Sequence, residues 1–126
     1  MATAGPLAAQ TTTGASADVV FATTATGCAP TGSSPDKVYS ISVGAGKTLT
    51  VTATPATDED LIVNIIDGAA AVCNNVMMCA GSSDTGFDGD PETATFMNAT
   101  GAAKTVFVQV AGYGSNLNYS LTISIP

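Results

Sequence analysis

Residues 105–110, TVFVQV, and residues 118–125, NYSLTISI, decide the fold of this chain. In the second segment the apolar side chains alternate with polar ones and share one face: Tyr119, Leu121, Ile123 and Ile125. Between the two segments, residues 111–116 read AGYGSN, a composition typical of a turn. Period-two alternation beside a turn rich in Gly and Asn predicts a half-buried antiparallel hairpin.

Earlier segments carry similar strand-like patterns. They run over residues 18–22, 37–43, 48–54, 61–66 and 93–97, and turns rich in Gly, Pro, Ser or Asp separate them. Residues 69–79 are predicted to form a strand and a bend, and residues 80–92 a loop. Residues 61–66, LIVNII, are almost continuously apolar, which predicts a central strand that is covered on both faces. Seven or eight strands at short, regular spacing predict an all-β fold, an antiparallel β-sandwich or jelly roll.

Length and composition predict one domain that follows an arm. A chain of 126 residues fits a single domain. Residues 1–17 contain mainly Ala, Thr, Gly and Ser, which predicts an N-terminal arm or linker, and residues 18–126 form the predicted domain. Met1 is followed by neither the basic start nor the long apolar run of a signal peptide, so we expect it to be an expression start on a mature or excised piece.

Basic residues are scarce. Three lysines, no arginine and ten acidic residues give a net charge of -7. So few cations cannot neutralise many phosphates, which argues against binding to nucleic acid or to an anionic membrane. No apolar stretch approaches the ~20 residues of a membrane span. The acidic surface suits solubility, cation binding or an extracellular setting.

The residue types that most enzymes use for catalysis are missing. Without histidine, Ser-His-Asp and Cys-His arrangements and histidine-ligated metals are excluded. None of the three lysines lies in a recognisable Ser-Lys motif. Paired carboxylates of the kind that glycosidases use do occur, but in loops, and the chain has no Trp and only three Tyr to form a platform for sugars. We therefore predict that the chain is not an enzyme.

Three cysteines set the redox expectation. Cys73 and Cys79 are close enough in sequence to join a hairpin, so we predict a disulfide between them. Cys28 is then left free or cross-links to another chain. The alternative is three reduced, buried thiols in a cytosolic protein. A composition rich in Thr, Ser and Gly with few lysines is typical of extracellular all-β proteins. Since disulfides persist in oxidising compartments, this composition favours the disulfide over the three reduced thiols.

The acidic segment at residues 84–92, DTGFDGDPE, is the sharpest chemical feature. It carries four carboxylates: Asp84, Asp88, Asp90 and Glu92. Acidic oxygens on a glycine-rich loop are suited to Ca²⁺, although the spacing is not that of an EF-hand, since Gly86 and Thr95 occupy ligand positions. Asp58, Glu59, Asp60 and Asp67 complete the site if the strand ends converge. Otherwise the segment is a solvated acidic turn.

Two aromatic residues are candidates for a ligand surface. Phe87 stands between glycine and acidic residues, so it either pins its loop to the core or is exposed for binding. Tyr113 lies in the turn of the closing hairpin. Tyr39, by contrast, alternates with Ile41 and Val43 and is predicted to belong to the core.

Several segments, read in order, carry a family resemblance. They are residues 34–39, 43–49, 58–63, the Cys73 and Cys79 pair, residues 93–96, and residues 107–121. Together they resemble the bacterial pre-peptidase C-terminal (PPC) domain, over about residues 16–126. The resemblance implies a small secreted β-sandwich appended to an extracellular protease or another exported enzyme, and some such modules bind calcium.

The functional expectation follows from this resemblance and from the missing catalytic residues. We predict a non-catalytic accessory module of a secreted bacterial protein. It would bind or target an extracellular protein or polysaccharide, or assist the export of an attached catalytic domain. The alternative is a self-assembling extracellular fibre subunit. In that case the arm of residues 1–17 would add a strand to a neighbour's sheet, rather than to the edge of its own.

Overall fold

Ten β-strands account for most of the chain in the computed structural model, which describes residues 5–16, 19–29, 35–114 and 116–126. The strands are β1 (Gly5–Thr11), β2 (Phe21–Thr26), β3 (Lys37–Val43), β4 (Thr48–Pro55), β5 (Leu61–Asp67), β6 (Val76–Met78), β7 (Gly81–Ser83), β8 (Glu92–Met97), β9 (Lys104–Gly112) and β10 (Asn118–Ser124). One short 3₁₀ helix covers Ala70–Asn74. Within the described ranges, no helix is long and apolar enough to cross a membrane.

Eight of these strands form two four-stranded antiparallel sheets. Sheet I has the order β1-β10-β4-β8 and sheet II the order β3-β9-β5-β7. Four pairs are nested like one long folded hairpin, β5 with β7, β4 with β8, β3 with β9 and β1 with β10. The folded ribbon then places β10 beside β4 and β9 beside β5. This is the strand order of an eight-stranded jelly roll. The predicted all-β antiparallel sandwich is confirmed.

The main core lies between the two sheets. Strands β4, β8 and β10 of sheet I alternate, so that β4 turns Leu49, Val51 and Ala53 inward and its threonines outward. Sheet II contributes Ile41, Val106 and Val108 from the opposite side. At about 25 cal/mol per Å² of apolar area removed from water, this shared face is the main stabilising contribution to the fold.

A third layer covers the outer face of sheet II. Strands β2 and β6 pair in parallel, and their apolar cluster includes Ile66, Val38 and Phe107 of sheet II. Strand β5 is consequently buried on both faces, and every residue from Leu61 to Ile66 has no exposed surface. The prediction that residues 61–66 form a central strand covered on both faces is confirmed.

Polar side chains fasten this region to the sheet. Asn64 in β5 accepts a hydrogen bond from the amide of Ala29 at 2.8 Å and donates one to its carbonyl at 3.1 Å. The amide of Asn64 also donates to Gln109 in β9 (2.9 Å), and Gln109 donates to the carboxylate of Asp36 (2.8 Å). All three side chains are buried, and buried polar groups of this kind are stable only when they are paired.

Three strand predictions need correction. The predicted hairpin of residues 105–110 and 118–125 is wrong, because the connection between β9 and β10 crosses from sheet II to sheet I, so both segments are strands but they do not pair. Residues 69–79, predicted as a strand and a bend, contain a 3₁₀ helix over Ala70–Asn74, and only Val76–Met78 is extended. The predicted loop at residues 80–92 contains the short strand β7. Strand β7 is only three residues long and pairs with the middle of β5, so its side-chain pattern is too short to detect.

The N-terminal arm adds a strand to the edge of its own sheet. Strand β1 pairs antiparallel with β10, from Gly5 opposite Ile123 to Thr11 opposite Asn118. The register is interrupted between Leu7 and Gln10, where Ala9 has a φ of 55°. Beyond the strand, the buried Thr12 exchanges hydrogen bonds with the backbone of Leu117. Of the two arrangements considered for the arm, the structure contains the intramolecular one.

The predicted disulfide is wrong. Cys79 is bonded to Cys28, 51 residues away in sequence, and Cys73 is the free thiol. The parallel pairing of β2 and β6 aligns Thr26 with Met78, which brings the residues after each strand together. Cys73 lies in the 3₁₀ helix of the same layer. Burial, and then the charge of Asp36, raise the pKa of its thiol.

Candidate functional site

The acidic segments meet at one end of the jelly roll. The connections β4–β5, β7–β8 and β9–β10 all cross between the two sheets at the same end, because the chain alternates between the sheets. They surround a cavity of about 410 Å³ that we call the acidic pocket. Its walls are Thr57, Asp58, Glu59, Asp60, Asp88, Tyr113, Gly114, Asn116 and Leu117. Three of the predicted metal ligands from one connection therefore face a fourth from another.

The loop between β7 and β8 is organised around a buried carboxylate. Glu92 is 1% exposed, and its Oε2 accepts hydrogen bonds from the hydroxyl of Ser83 and the amide of Thr85 (3.1 Å). Its Oε1 accepts one from the amide of Gly86 (2.5 Å). A Cβ on Gly86 would lie 2.7 Å from Oε1, so only glycine allows this approach. Hydrogen bonds to a charged group contribute about 1.5–3 kcal/mol, which fixes the loop.

Phe87 stands at the tip of this fixed loop. Its amide donates to Oδ2 of Asp90 at 3.1 Å, and the amide of Asp90 donates back to its carbonyl at 2.9 Å. The amide of Gly89 donates to the carbonyl of Glu59 at 3.1 Å, which ties the loop to the β4–β5 connection. The side chain of Phe87 is nevertheless 81% exposed. Of the two interpretations of Phe87, the exposed position is the one observed.

Tyr113 joins the third connection to the other two. Its hydroxyl donates to Oδ2 of Asp84 at 2.9 Å, and its amide donates to the carbonyl of Asp60 at 3.0 Å. Hydrogen bonding to Asp84, then burial and the charges of Asp84 and Asp60, raise the pKa of the phenol. The preceding Gly112 lets the strands approach, because a Cβ there would lie 2.1 Å from the carbonyl oxygen of Asp60. Tyr113 is 58% exposed and forms part of the pocket wall.

Among the acids of the pocket, Asp60 has the surroundings least favourable to a negative charge. Its Oδ1 atom is buried and has no hydrogen-bond partner in the described part of the chain. Burial, followed by the negative charges of Asp84, Asp88 and Glu92, raises the pKa of this carboxyl. The negative charges of three other acids thus repel the carboxylate of Asp60. A cation bound beside it would offset this repulsion and would give Oδ1 a partner.

The predicted metal ligands have unequal roles in this geometry. Among the residues that the structure describes, no three Asp, Glu or Cys side chains lie close enough to hold a metal ion together. Both oxygens of Glu92 are occupied by donors of its own loop, and Oδ2 of Asp90 by the amide of Phe87. Asp58 and Asp88 are exposed at the pocket rim. Calcium binding stays a prediction.

Sequence reasoning missed two contributions to this site. Glu59 fixes its own turn, with Oε2 accepting from the amide of Thr57 at 2.8 Å, and its carbonyl holds the loop of Phe87. The structural role of Glu92 has a signal in the sequence. In the period-two pattern of β8 it shares the inward face with Ala94, which predicts burial.

No protein-family model and no curated protein matches this sequence. Among solved structures, the chain is similar to PliG of Aeromonas hydrophila, described as a periplasmic lysozyme inhibitor of g-type lysozyme. The identity is 22%, the match covers 73% of this chain and 76% of that one, and the TM-score is 0.49. A similarity this distant carries no statement about function.

Proposed function

We propose that the protein is a non-catalytic binding module of a secreted bacterial protein and that its acidic end is the ligand surface. The observation that carries the proposal is the exposure of Phe87 on a loop that hydrogen bonds hold in place. A phenylalanine that is 81% exposed contributes little to the core, and aromatic side chains, including Phe, are enriched at the centre of protein interfaces.

The neighbourhood of Phe87 supports a binding role. The acidic pocket offers a concave surface of about 410 Å³ with the half-exposed ring of Tyr113 in its wall. Its carboxylates repel anionic ligands and favour partners that carry positive charge or none. An extracellular protein or a neutral polysaccharide satisfies these conditions.

The secreted setting of the proposal rests on the cysteines. The Cys28–Cys79 bond is typical of proteins that meet an oxidising compartment, whereas cytosolic thiols are normally kept reduced. The accessory role, beside an attached or co-exported enzyme, rests on the resemblance of residues 16–126 to the PPC domain and on the absence of histidine and arginine.

A calcium ion is part of this proposal as a stabilising ligand. Oδ1 of Asp60, which has no hydrogen-bond partner among the described residues, and the repulsion from Asp84 and Asp88 support it. Glu92 is committed to loop amides, and no three acidic side chains of the described residues lie close enough to hold an ion together, so Asp60 would be its first ligand. Asp84 and Asp88 would have to move towards the ion to complete the site, with Asp58 and Asp90 at the rim. The ion would supply positive charge that offsets their mutual repulsion.

The fibre subunit remains the second candidate. Strand β1 has one neighbour in the described sheets, β10, and its pairing is interrupted at Ala8 and Ala9. A strand held on one side only is the kind of element that neighbouring subunits exchange. In that case the edge position beside β10, which β1 occupies here, would be filled by the arm of another chain.

Binding to insoluble probes tests the main proposal. The chain is mixed with chitin, cellulose, peptidoglycan or collagen, and the protein left in solution is measured. We expect one probe to retain it and Phe87→Ala to weaken retention about tenfold, as for an interface anchor. Met78→Ala is the matched control, because Met78 is 65% exposed on the third layer, where no binding is proposed. Equal retention of both variants, or retention of neither variant nor parent chain, contradicts the proposal.

A further inference from the structure

The outward face of sheet I is covered by hydroxyl groups. On β4, β8 and β10, nine of the eleven outward positions are Thr or Ser, and the other two are Met97 and Asn118. We call these nine residues the hydroxyl face: Thr48, Thr50, Thr52, Thr54, Thr93, Thr95, Ser120, Thr122 and Ser124. No charged side chain occurs among the eleven, although the chain carries thirteen Lys, Asp and Glu residues.

The register of the strands arranges these hydroxyls in rows. Ser124, Thr50 and Thr95 lie side by side on the three strands, and Thr122, Thr52 and Thr93 form the next row. Neighbouring strands are about 4.8 Å apart, and successive outward residues on one strand about 6.7 Å apart. The hydroxyls of Thr52 and Thr93 lie 2.9 Å from each other. Because seven of the nine residues are threonines, which are β-branched and stiff at χ1, the array keeps most of its spacing in both directions.

The hydroxyl face is left open by the fold. Thr54, Thr93, Thr95, Thr122 and Ser124 are exposed, and the others are half-buried by their neighbours on the sheet. The third layer of the described chain packs on sheet II instead. High β propensity and favourable cross-strand Thr pairs explain threonine on a sheet surface, but they do not require that all eleven outward positions lack a charged side chain.

We propose that the hydroxyl face binds the surface of ice. The face has no charge that would attract an ionic partner and no aromatic ring on which a sugar could stack. What it offers is a repeating lattice of groups that both donate and accept hydrogen bonds, separated by methyl groups. Ice presents the complementary surface, a repeating lattice of oxygen atoms that each donate and accept. This site lies outside the acidic end and does not depend on its function.

Sheet twist limits the strength of the match. Neighbouring strands rotate by about 20–25° relative to each other. The hydroxyl face and the flat oxygen lattice of ice therefore stay in register over only the central rows. We therefore expect retention on ice and slower recrystallisation, rather than a large depression of the freezing point.

The test uses ice itself as the probe. A dilute solution of the chain is frozen slowly onto a cold surface, and the protein in the ice is compared with the protein left in the liquid. We expect the parent chain to enter the ice several-fold more than an unrelated small acidic protein. Thr52→Lys should lose most of this enrichment, because it places a charged side chain in the central row. Thr105→Lys, on an exposed position of sheet II, should keep it.

A second variant protects the test against misfolding. The pair Thr52→Val and Thr93→Val removes two hydroxyls but keeps shape and β propensity, and melting curves check that each variant is folded. Enrichment that survives both the lysine and the valine changes overturns the proposal, as does exclusion of the parent chain from ice. The proposal is also overturned if the parent chain binds crystalline cellulose or chitin but not ice, and if the same variants lose that binding. The ligand of the hydroxyl face would then be a polysaccharide.

Discussion

Cys28 and Cys79 are joined across the ends of two parallel strands that meet only in the third layer. The amide of Cys79 donates to the carbonyl of Thr26 at 3.0 Å, so the disulfide continues the pairing of β2 with β6. An isolated pair of short strands is marginally stable in water. The covalent bond therefore stabilises the layer that buries the outer face of β5.

Removing this bond should destabilise the whole domain. We expect Cys28→Ser to lower the free energy of unfolding by up to about 4 kcal/mol, the loop-closure value for a separation of 51 residues. Cys73→Ser is the matched control and should cost far less, because Cys73 forms no disulfide. Urea denaturation measures both. Thiol titration of the unfolded, unreduced chain should find one thiol, and three thiols would show that the bond does not form.

The disulfide also shows where sequence reasoning stops. Cys73 and Cys79 are neighbours in sequence, and the spacing alone favours their pairing. The observed partner is set by the parallel alignment of β2 with β6, and β6 is only three residues long. Such a strand has too few residues for a periodic pattern. Long-range pairings in short, irregular segments therefore have no local signal.

The regular strands behave differently, since their alternation predicts both fold and burial. The strands over residues 37–43, 48–54 and 118–124 lie where their period-two patterns predict. Alternation does not predict their partners, since the last two strands, expected to form a hairpin, belong to opposite sheets. The roles of the acidic residues were only partly predictable. Glu92 and Asp88 belong to one acidic segment, yet the first is buried among amides and the second is exposed. Alternation in β8 predicts the burial of Glu92, but the path of the β7–β8 loop brings the donating amides to it, and that path has no local signal.

Glu92 should be the acid whose loss unfolds the loop of Phe87. Replacing it with Gln removes the charge that the amides of Thr85 and Gly86 face, so we expect a loss of about 2–3 kcal/mol in the free energy of unfolding. Asp88→Asn removes the same charge from an exposed position and should change stability by less than about 0.5 kcal/mol. Equal urea midpoints for the two variants would contradict this assignment.

Deleting residues 1–11 distinguishes the two roles of the N-terminal strand. If β1 closes its own sheet, the deletion exposes the edge of β10, and the truncated chain should become less stable and associate with itself. If the arm is donated to a neighbour, the intact chain polymerises and the truncated chain is monomeric. Light scattering across a wide concentration range separates these outcomes, because the deletion increases self-association in the first case and abolishes it in the second. An intact chain that is monomeric throughout removes the fibre candidate.

Calcium should raise the melting temperature of the domain. A ligand that binds only the folded state stabilises it by an amount that grows with concentration, about 2.7 kcal/mol at one hundred times Kd. We expect the shift between chelator and millimolar calcium to disappear in the double variant Asp84→Asn and Asp88→Asn. The control is Asp67→Asn, whose carboxylate pairs with Lys104 on the neighbouring strand and lies outside the pocket. Identical melting curves with chelator and with calcium would rule out the ion.

The raised pKa of Asp60 has a consequence for stability without any metal. Burial, and then Asp84, Asp88 and Glu92, raise this pKa above the ordinary value of 3.8. The folded chain therefore binds the proton more tightly than the unfolded chain does. Stability is lost as the pH rises from 3.8 through the raised value, and the loss persists at neutral pH.

Asp60→Asn should remove this penalty. We expect the variant to be more stable than the parent chain at pH 7, by less than about 1 kcal/mol because solvent screens the pocket, and equally stable below pH 3.8, where the parent carboxyl is protonated. In 1 M salt, where the Debye length is about 3 Å, the difference should shrink to the part caused by burial. Asp58→Asn, at the exposed rim, is the matched control. Urea midpoints measured from pH 3 to pH 8 give the comparison, and a variant less stable than the parent chain at pH 7 would show that the Asp60 carboxylate is a stabilising group.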